Sequence, residues 1–385
     1  MRILLVTWNY PPKMGGMEMM LSQLVENLLP HAEVDVLAPH AAPSDLGLEK
    51  SKPNKQIIRP SRDGLRWFFL STLFSGLQLL GRQPYDVIIA GSTLVTPLTY
   101  LLGRFAKLPT VVNVYGLDVI YPHPLYQWIV RTFLPRADGV FAISQAAKEA
   151  AIQQGVSPER VSIISPGVNF AEFANLDFQK PKELDGRLIL LSAGRLAKRK
   201  GILQFISHSF PAIVKACPNV LFLVVGENPT LSLTHKEDLR TQIEAEVHRL
   251  GLEKHVQLLG RVDRKQLIQL YHDCDVFVLP AIKVAGDMEG FGIVLIEASA
   301  AAKAVVSTRL GGIPDAVADG ESGLLVEAES WDNLSTAIIK LLQNESLRQQ
   351  MGQFGRQRVQ TEFDWPIVGR RYAEKLANLL AKVVT

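Results

Sequence analysis

The sequence predicts an α/β protein made of two doubly wound domains, each built on a parallel sheet. Three observations carry this expectation. At 385 residues the chain is too long for one ordinary hydrophobic core. Its apolar runs are short, rich in β-branched residues and continuous, as in strands covered on both faces. These runs alternate with longer helical patterns in two successive series. A content of 47% apolar and 21% charged residues is that of a globular chain rather than a disordered one.

In the first series, strands are expected at 3–6, 33–37, 87–90, 110–114, 139–143 and 161–164. The opening "MRILLVTWNYPP" resembles a signal peptide only superficially: its apolar run is short, no small-residue cleavage site follows, and Pro11-Pro12 interrupts it. It reads as a first buried strand. In the second series, strands are expected at 188–193, 220–225, 256–259, 276–279, 304–307 and 323–326. Between the series lies "SPGVNFAEFANLDFQKPKELDG", rich in turn formers and without periodicity. This places one domain over 1–170 and a second over 171–365, with a C-terminal helix over 366–385 expected to pack back on the first.

No run of about 18 uninterrupted apolar residues exists, so no spanning helix is expected. Cys217 and Cys274 each sit in an apolar context and read as buried free thiols of a reducing compartment. The cytoplasm is the expected location, and no nucleic acid is expected among the partners.

Ligands of open parallel sheets bind beyond the carboxyl ends of the strands. There the sequence places "GRLAKRKG" (194–201), "GENP" (226–229), "GRVDRKQ" (260–266) and "PAIKVAGDMEGFG" (280–292). In the first, glycine allows close backbone approach. Arg195 can fork two bonds to phosphate oxygens and Lys200 adds a point charge; taken alone, this piece reads equally as a solvated basic loop. "EGFGIVLIEA" sets Glu289 and Glu297 eight positions apart around an apolar run. Phe291-Gly292 reads as the entry to a helix from Ile293 to about Ala302. The free N–H groups and partial positive charge at its tip suit a diphosphate. Glu289 lies before the tip, and Glu297 lies more than a turn inside, facing the same crevice. A carboxylate accepts two hydroxyl hydrogens at once, which suits a ribose diol or adjacent sugar hydroxyls.

With "GRLAKRKG", "GRVDRKQLIQLYHDCDVFVLP", "EGFGIVLIEA" and "GGIPDAVADGESGLLV" in this order, the chain resembles the donor domain of retaining glycosyltransferases of family 4, with the GT-B fold of two Rossmann-like domains facing a cleft. "PPKMGGMEM" resembles that family's glycine-rich acceptor loop, and "AISQAAKEAAIQQGVSPERVSIISPGVN" the stretch before its linker, so the resemblance covers almost the whole chain. It implies that Arg195 and Lys200 bind the donor pyrophosphate and stabilise the leaving nucleoside diphosphate. Val262 would lie by the base. Glu289 would contact the transferred sugar, while Phe291, Gly292 and Ile293 present backbone groups to sugar and phosphate. Glu297 would hold the ribose, and Gly16 would approach the phosphate from the first domain, where a side chain would occupy the cleft.

One departure stands out. Where the family often has His-Gly-x-Asp, "NVYGLDV" puts Tyr115 at the histidine position, with Gly116 and Asp118 kept. Tyrosine carries no positive charge at pH 7. Tyr115 therefore either positions a sugar hydroxyl or only packs. Two decoys are rejected. "DCD" (273–275) looks like a metal-binding triplet but sits where the family has a structural helix-to-strand turn, without further ligands nearby. "WNYPPKMGGM" lacks the G-x-G-x-x-G of a dinucleotide site.

The implied reaction is metal-free, cofactor-free transfer of a hexose, with retention, from a nucleotide sugar to a hydroxyl. GDP-mannose is the favoured donor, because "GDMEGFGIVLIEASA" looks closest to mannosyltransferases of the phosphatidylinositol mannoside type; a UDP-hexose is the alternative. Residues 50–107 hold nine basic residues against two acidic ones, a net +7. Within them, "RDGLRWFFLSTLFSGLQLLGR" (62–82) reads either as a helix lying on an anionic membrane or as a buried domain helix. The first favours a lipid-linked acceptor and a peripheral location at the inner face of the membrane. A UDP-hexose transferase with a soluble acceptor, a non-catalytic nucleotide-sugar-binding protein, and a sugar phosphorylase or hydrolase of the same fold are the competing readings.

Overall fold

The structure, a computed structural model, describes residues 1–13, 15–42, 54–174, 181–228 and 238–384. Met14 and Pro229 of the motifs quoted above, residues 175–180 of the linker stretch, and Lys50 and Lys52 of the basic stretch 50–107 lie outside these residues. The chain divides into two compact units: Met1–Gly167 with Trp365–Thr385, and Val168–Asp364.

The first unit holds a seven-stranded sheet. Its strands are Arg2–Val6 (β1), Glu33–Leu37 (β2), Lys55–Ile58 (β3), Val87–Ala90 (β4), Thr110–Val114 (β5), Gly139–Ala142 (β6) and Val161–Ile163 (β7). The order is β3-β2-β1-β4-β5-β6-β7, with every pairing parallel. Every residue of β4 and β5 is buried, which explains why β4 reads as a continuous apolar run, while in β5 the polar Asn113 accepts from the Tyr372 hydroxyl. β3 was not expected. Its sequence, KQII, is short and half polar, and at the sheet edge it is only partly covered.

The second unit holds a six-stranded sheet of Leu188–Ala193 (β8), Val220–Val225 (β9), Val256–Gly260 (β10), Val276–Leu279 (β11), Ala304–Thr308 (β12) and Gly323–Val326 (β13). The order is β10-β9-β8-β11-β12-β13, again all parallel. In each sheet the order reverses beside its first strand, between β1 and β4 and between β8 and β11, so each sheet has a switch point where strand ends splay and leave room for a ligand. The core of this unit gathers Leu190, Phe205, Phe210, Phe222, Val278 and Ile338, all fully buried.

The last helix, Trp365–Val384, belongs to the first unit. Gly369 lets it lie against the helix Gly16–Leu28, since a Cβ there would come within 2.4 Å of the Asn27 carbonyl oxygen. Tyr372 packs edge-on against Phe141 at 4.8 Å and donates to Asn113 at 2.9 Å.

Among the described residues, no helix is long and apolar enough to cross a membrane. The helix Leu65–Arg82 buries only Phe68, Thr72 and Gly76, a stripe of every fourth residue. Its other face turns Leu65, Trp67, Leu70 and Phe74 to solvent, with Phe74 71% exposed. The neighbouring helices Thr96–Ala106 and Pro124–Phe133 add exposed Leu101, Phe105, Leu125 and Trp128.

Candidate active site

The site is built at the carboxyl ends of β8 and β11. After β8 the chain turns through Gly194 and Arg195 into a single 3-10 turn, Lys198–Lys200. Gly201 closes that turn at φ 68°, where a Cβ would lie 1.9 Å from the Pro280 carbonyl oxygen. A side chain is therefore excluded by strain and by space together. The Ile282 N–H donates to the Arg199 carbonyl at 2.9 Å, so the basic turn is clamped to the loop after β11.

That loop carries Glu289 into the interior, where it is only 7% exposed. An isolated carboxylate there would be costly. It is compensated by Lys200 Nζ at 2.8 Å and Arg199 Nε at 3.3 Å, and Arg199 Nη1 lies 3.6 Å from Asp287. Burial pushes the Glu289 carboxyl up, but Lys200 and Arg199 more than offset this and hold it below the ordinary carboxylate range. Burial also pushes the Lys200 ammonium down, and Arg199 and Arg195 push the same way against Glu289. Arg199 and Lys200 balance Asp287 and Glu289 inside the cluster, and the exposed Arg195 adds one positive charge at its mouth, which suits an anion. The sequence suggested Glu289 would simply reach toward a ligand; in the structure its carboxylate is engaged within the chain. Arg195, by contrast, is exposed.

The expected helix forms over Ile293–Ala300 and stops short of Ala302, which sits in the left-handed region at φ 59°. Gly352 packs on the Ala302 carbonyl, and this tertiary contact accompanies the early end. Gly292 is the N-cap at φ 84°, and no side-chain cap takes up the first N–H groups. Phe291 is buried against Phe363, with ring centroids 5.7 Å apart. Ile293 opens the helix and is half-buried.

Glu297, one turn on, accepts from Arg264 at 2.6 Å and from the Tyr271 hydroxyl at 2.9 Å. Arg264 also reaches Glu172 at 2.8 Å and lies over the Phe173 ring. Among the described residues each Glu297 oxygen thus has one partner and one remaining lone pair, enough for a diol. Val262 is half-buried just after β10, one residue before Asp263 caps the helix Arg264–Asp273 with a capping box.

Four of these partners were missed from sequence: Arg199, Asp287, Arg264 and Tyr271. The spacing of Arg264 and Tyr271, seven apart on one helix face, was a usable signal. For Arg199, inside a Lys-Arg-Lys triplet, there was none.

Asp273 and Asp275 have local roles. Asp273 accepts from Gln269 at 2.7 Å, and Asp275 from the Ile189 N–H at 2.7 Å, tying the helix end to the sheet. Cys274 between them is buried, with its thiol on the Tyr271 carbonyl.

In the first unit, Gly16 is exposed at the start of the helix Gly16–Leu28, and a Cβ there would meet nothing within 4 Å. The chain itself therefore sets no steric demand for glycine at this position; Gly15 meets the Glu18 side chain instead. Tyr115 is buried and lines an apolar pocket with Met20, Leu24, Phe141 and Trp365. Burial pushes its hydroxyl well above the ordinary phenol range. Asp118 accepts from the Tyr115 N–H at 2.8 Å and the Thr93 N–H at 3.3 Å, while burial raises its carboxyl to about 6. Burial among apolar side chains suits packing, and the two roles are separated by a substitution. If Tyr115 packs, Tyr115→Phe is expected to keep turnover within about threefold and stability within about 1 kcal/mol, because its hydroxyl has no hydrogen-bonded pair to break among the described residues. A loss above tenfold in turnover at unchanged donor affinity would instead give the hydroxyl a transition-state role.

Two family models match the chain: Glycosyltransferase Family 4 over residues 14–172 and Glycosyl transferases group 1 over residues 174–358. The GDP-mannose-dependent alpha-(1-6)-phosphatidylinositol monomannoside mannosyltransferase of Mycolicibacterium smegmatis is 26% identical, over 98% of each chain. The alpha-maltose-1-phosphate synthase of the same organism is also 26% identical, over 97% of this chain and 98% of that one. Among solved structures, Anabaena Alr3699/HepE in complex with UDP and glucose superposes with a TM-score of 0.77 at 21% identity, over 98% of this chain and 100% of that one. With its two parallel sheets and both models matched end to end, the chain belongs to the glycosyl transferases group 1 and family 4, and it is a GT-B glycosyltransferase that uses nucleotide-sugar donors.

Proposed function

We propose that the protein transfers a hexose, mannose in first place, from a nucleotide-diphosphate sugar to a hydroxyl of a lipid-linked or glycan acceptor, with retention and without a metal. The observation that carries this reading is the buried cluster in which Arg199 and Lys200 hold Glu289 beside the uncapped tip of the helix Ile293–Ala300. As the anomeric bond breaks, negative charge develops on the leaving diphosphate. Arg195, Lys200 and the helix N–H groups meet it from positions already beside the diphosphate, which is the largest contribution available to such a site. No metal is required for that charge balance. Phe291, Gly292 and Ile293 present backbone to sugar and phosphate, Glu297 takes the ribose diol, and Val262 lies by the base. Glu289 holds the sugar from its buried side. No carboxylate is placed as a nucleophile in the sequence motifs, so attack on the face of the departing group is the proposed route.

Mannose is favoured by the mannosyltransferase relative, although the maltose-1-phosphate synthase matches equally well. The lipid-linked acceptor and a peripheral membrane location are favoured by the exposed apolar face of the first unit. Phe74, Leu70, Trp67, Leu101, Phe105 and Trp128 stand outward on three adjacent helices, rimmed by exposed Arg62, Arg66, Arg82, Arg104 and Lys107. Such a face suits an anionic lipid surface, where each basic residue contributes about 1 kcal/mol that salt screens.

The test is incubation with labelled GDP-mannose, UDP-glucose and other nucleotide sugars, with and without membrane extract and with EDTA. Label from GDP-mannose is expected in the lipid fraction, undiminished by EDTA. Label from a UDP-hexose in soluble product would favour the alternative reading, and donor binding without turnover a non-catalytic one. In parallel, co-sedimentation with anionic vesicles is expected at low salt and to weaken steeply at physiological salt. Replacing Phe74 and Leu70 with Asp should abolish it without changing donor affinity. A chain that stays in the supernatant at low salt would remove the membrane from the proposal.

A further inference from the structure

Arg199 does something that Arg195 and Lys200 do not. Its side chain turns inward, and its guanidinium spans two carboxylates, Asp287 at 3.6 Å and Glu289 at 3.3 Å. Asp287 is itself only 3% exposed at its side chain. The backbone reinforces this placement, because the Arg199 carbonyl accepts from Ile282 and Gly201 is wedged against Pro280. The turn bearing Arg199 and the loop bearing both carboxylates therefore move as one piece. Lys200 has two demands on it under the function proposed above, namely Glu289 and the leaving diphosphate. Arg199, committed to the carboxylates, has one.

Resting on that reading, we propose that Arg199, anchored by Asp287, is a positioning residue that holds the Glu289 carboxylate in place while Lys200 is drawn to the leaving diphosphate. A flexible ammonium can turn from one anion to another at little cost, whereas a planar guanidinium held between two carboxylates keeps its geometry. As the diphosphate arrives, its charge would disfavour an ionised Glu289 if Lys200 were the sole compensation. The described charged groups that act on the carboxylate are Lys200 and Arg199 from the turn, with Asp287 pairing with Arg199 and Arg195 acting on Lys200.

The experiment compares Arg199→Gln, Arg199→Lys and Asp287→Asn with the unaltered protein. It measures kcat and KM for the donor that the panel above identifies, Kd for GDP and UDP, and kcat as a function of pH. Arg199→Gln is expected to lower kcat by about tenfold or more, as loss of an orienting partner does. Nucleotide Kd should stay within about twofold. The acid limb of the kcat profile should move to higher pH, since Glu289 loses a cation. Arg199→Lys should restore the acid limb but recover only part of kcat, since an ammonium returns the charge without the fork between two carboxylates, and Asp287→Asn should lower kcat by less, without moving the acid limb to higher pH. These two variants also keep the test decisive should Arg199→Gln fail to fold. A wild-type kcat and acid limb in Arg199→Gln would overturn the inference, and so would a parallel loss of nucleotide affinity, which would make Arg199 a phosphate ligand. If the unaltered protein binds neither GDP nor UDP, the functional reading falls and takes this inference with it. If it binds and turns over while the variants are silent, only the inference falls.

Discussion

Lys200→Met is expected to lower turnover by about 10²-fold or more, comparable to deleting one preorganised donor to a developing anion. The ammonium is buried and lies 2.8 Å from Glu289, so the substitution removes a point charge from the leaving-group site and one of two cations from the carboxylate. Nucleoside-diphosphate affinity should fall as well, because the charge acts on the bound ground state too. Stability changes with pH in a defined direction. In the folded chain the Glu289 carboxyl lies below its ordinary 4.5, so its pairing contributes stability above that value, lost as pH falls through the folded value. The variant should therefore lie furthest below the unaltered protein at neutral pH and approach it in acid. Thermal melts at several pH values check this. Arg195→Ala should match the loss of turnover with little loss of stability, since Arg195 is exposed. Turnover near the unaltered level in both variants would move the diphosphate away from this turn.

Gly311→Ala is expected to damage both stability and turnover, although residue 311 carries no chemistry. Gly311 sits at φ 56°, and a Cβ there would lie 2.3 Å from the Glu289 carbonyl oxygen. The clash is with backbone, so no flexible side chain can yield. The next N–H, of Gly312, donates to that same carbonyl at 2.9 Å. Relieving the contact means moving Glu289 away from Arg199 and Lys200. A loss of turnover of about tenfold or more is expected, since small misplacements in a positioned site are costly. Gly320→Ala is the control. Gly320 has φ 80° but open space around it, so the variant carries the left-handed strain of about 1 kcal/mol without the collision. Melting temperature and kcat should separate the two. Equal effects on kcat would show that the Gly311 contact is not what seats Glu289.

The sequence by itself determined the two parallel sheets, most strand limits and the identity of the two glutamates. Buried parallel strands such as Val87–Ala90 and Val276–Leu279 are apolar on both faces and bounded by turn formers, so their signal is local. β3 escaped for the opposite reason. Lys55–Ile58 is a strand because Glu33–Leu37 pairs with it, and nothing within four half-polar residues records that pairing. Only the tertiary structure decided what the glutamates touch. Glu289 meets Arg199 and Lys200 from a turn nearly ninety positions earlier. Glu297 meets Arg264 and Tyr271 from another helix. The same holds for the helix Leu65–Arg82, whose composition is apolar nearly all round. Which side faced solvent depended on where the sheet and the helix Thr96–Ala106 covered it. Periodicity and turn chemistry act between neighbours along the chain, whereas ion pairs and burial are set by neighbours in space, and a single sequence records only the first kind directly.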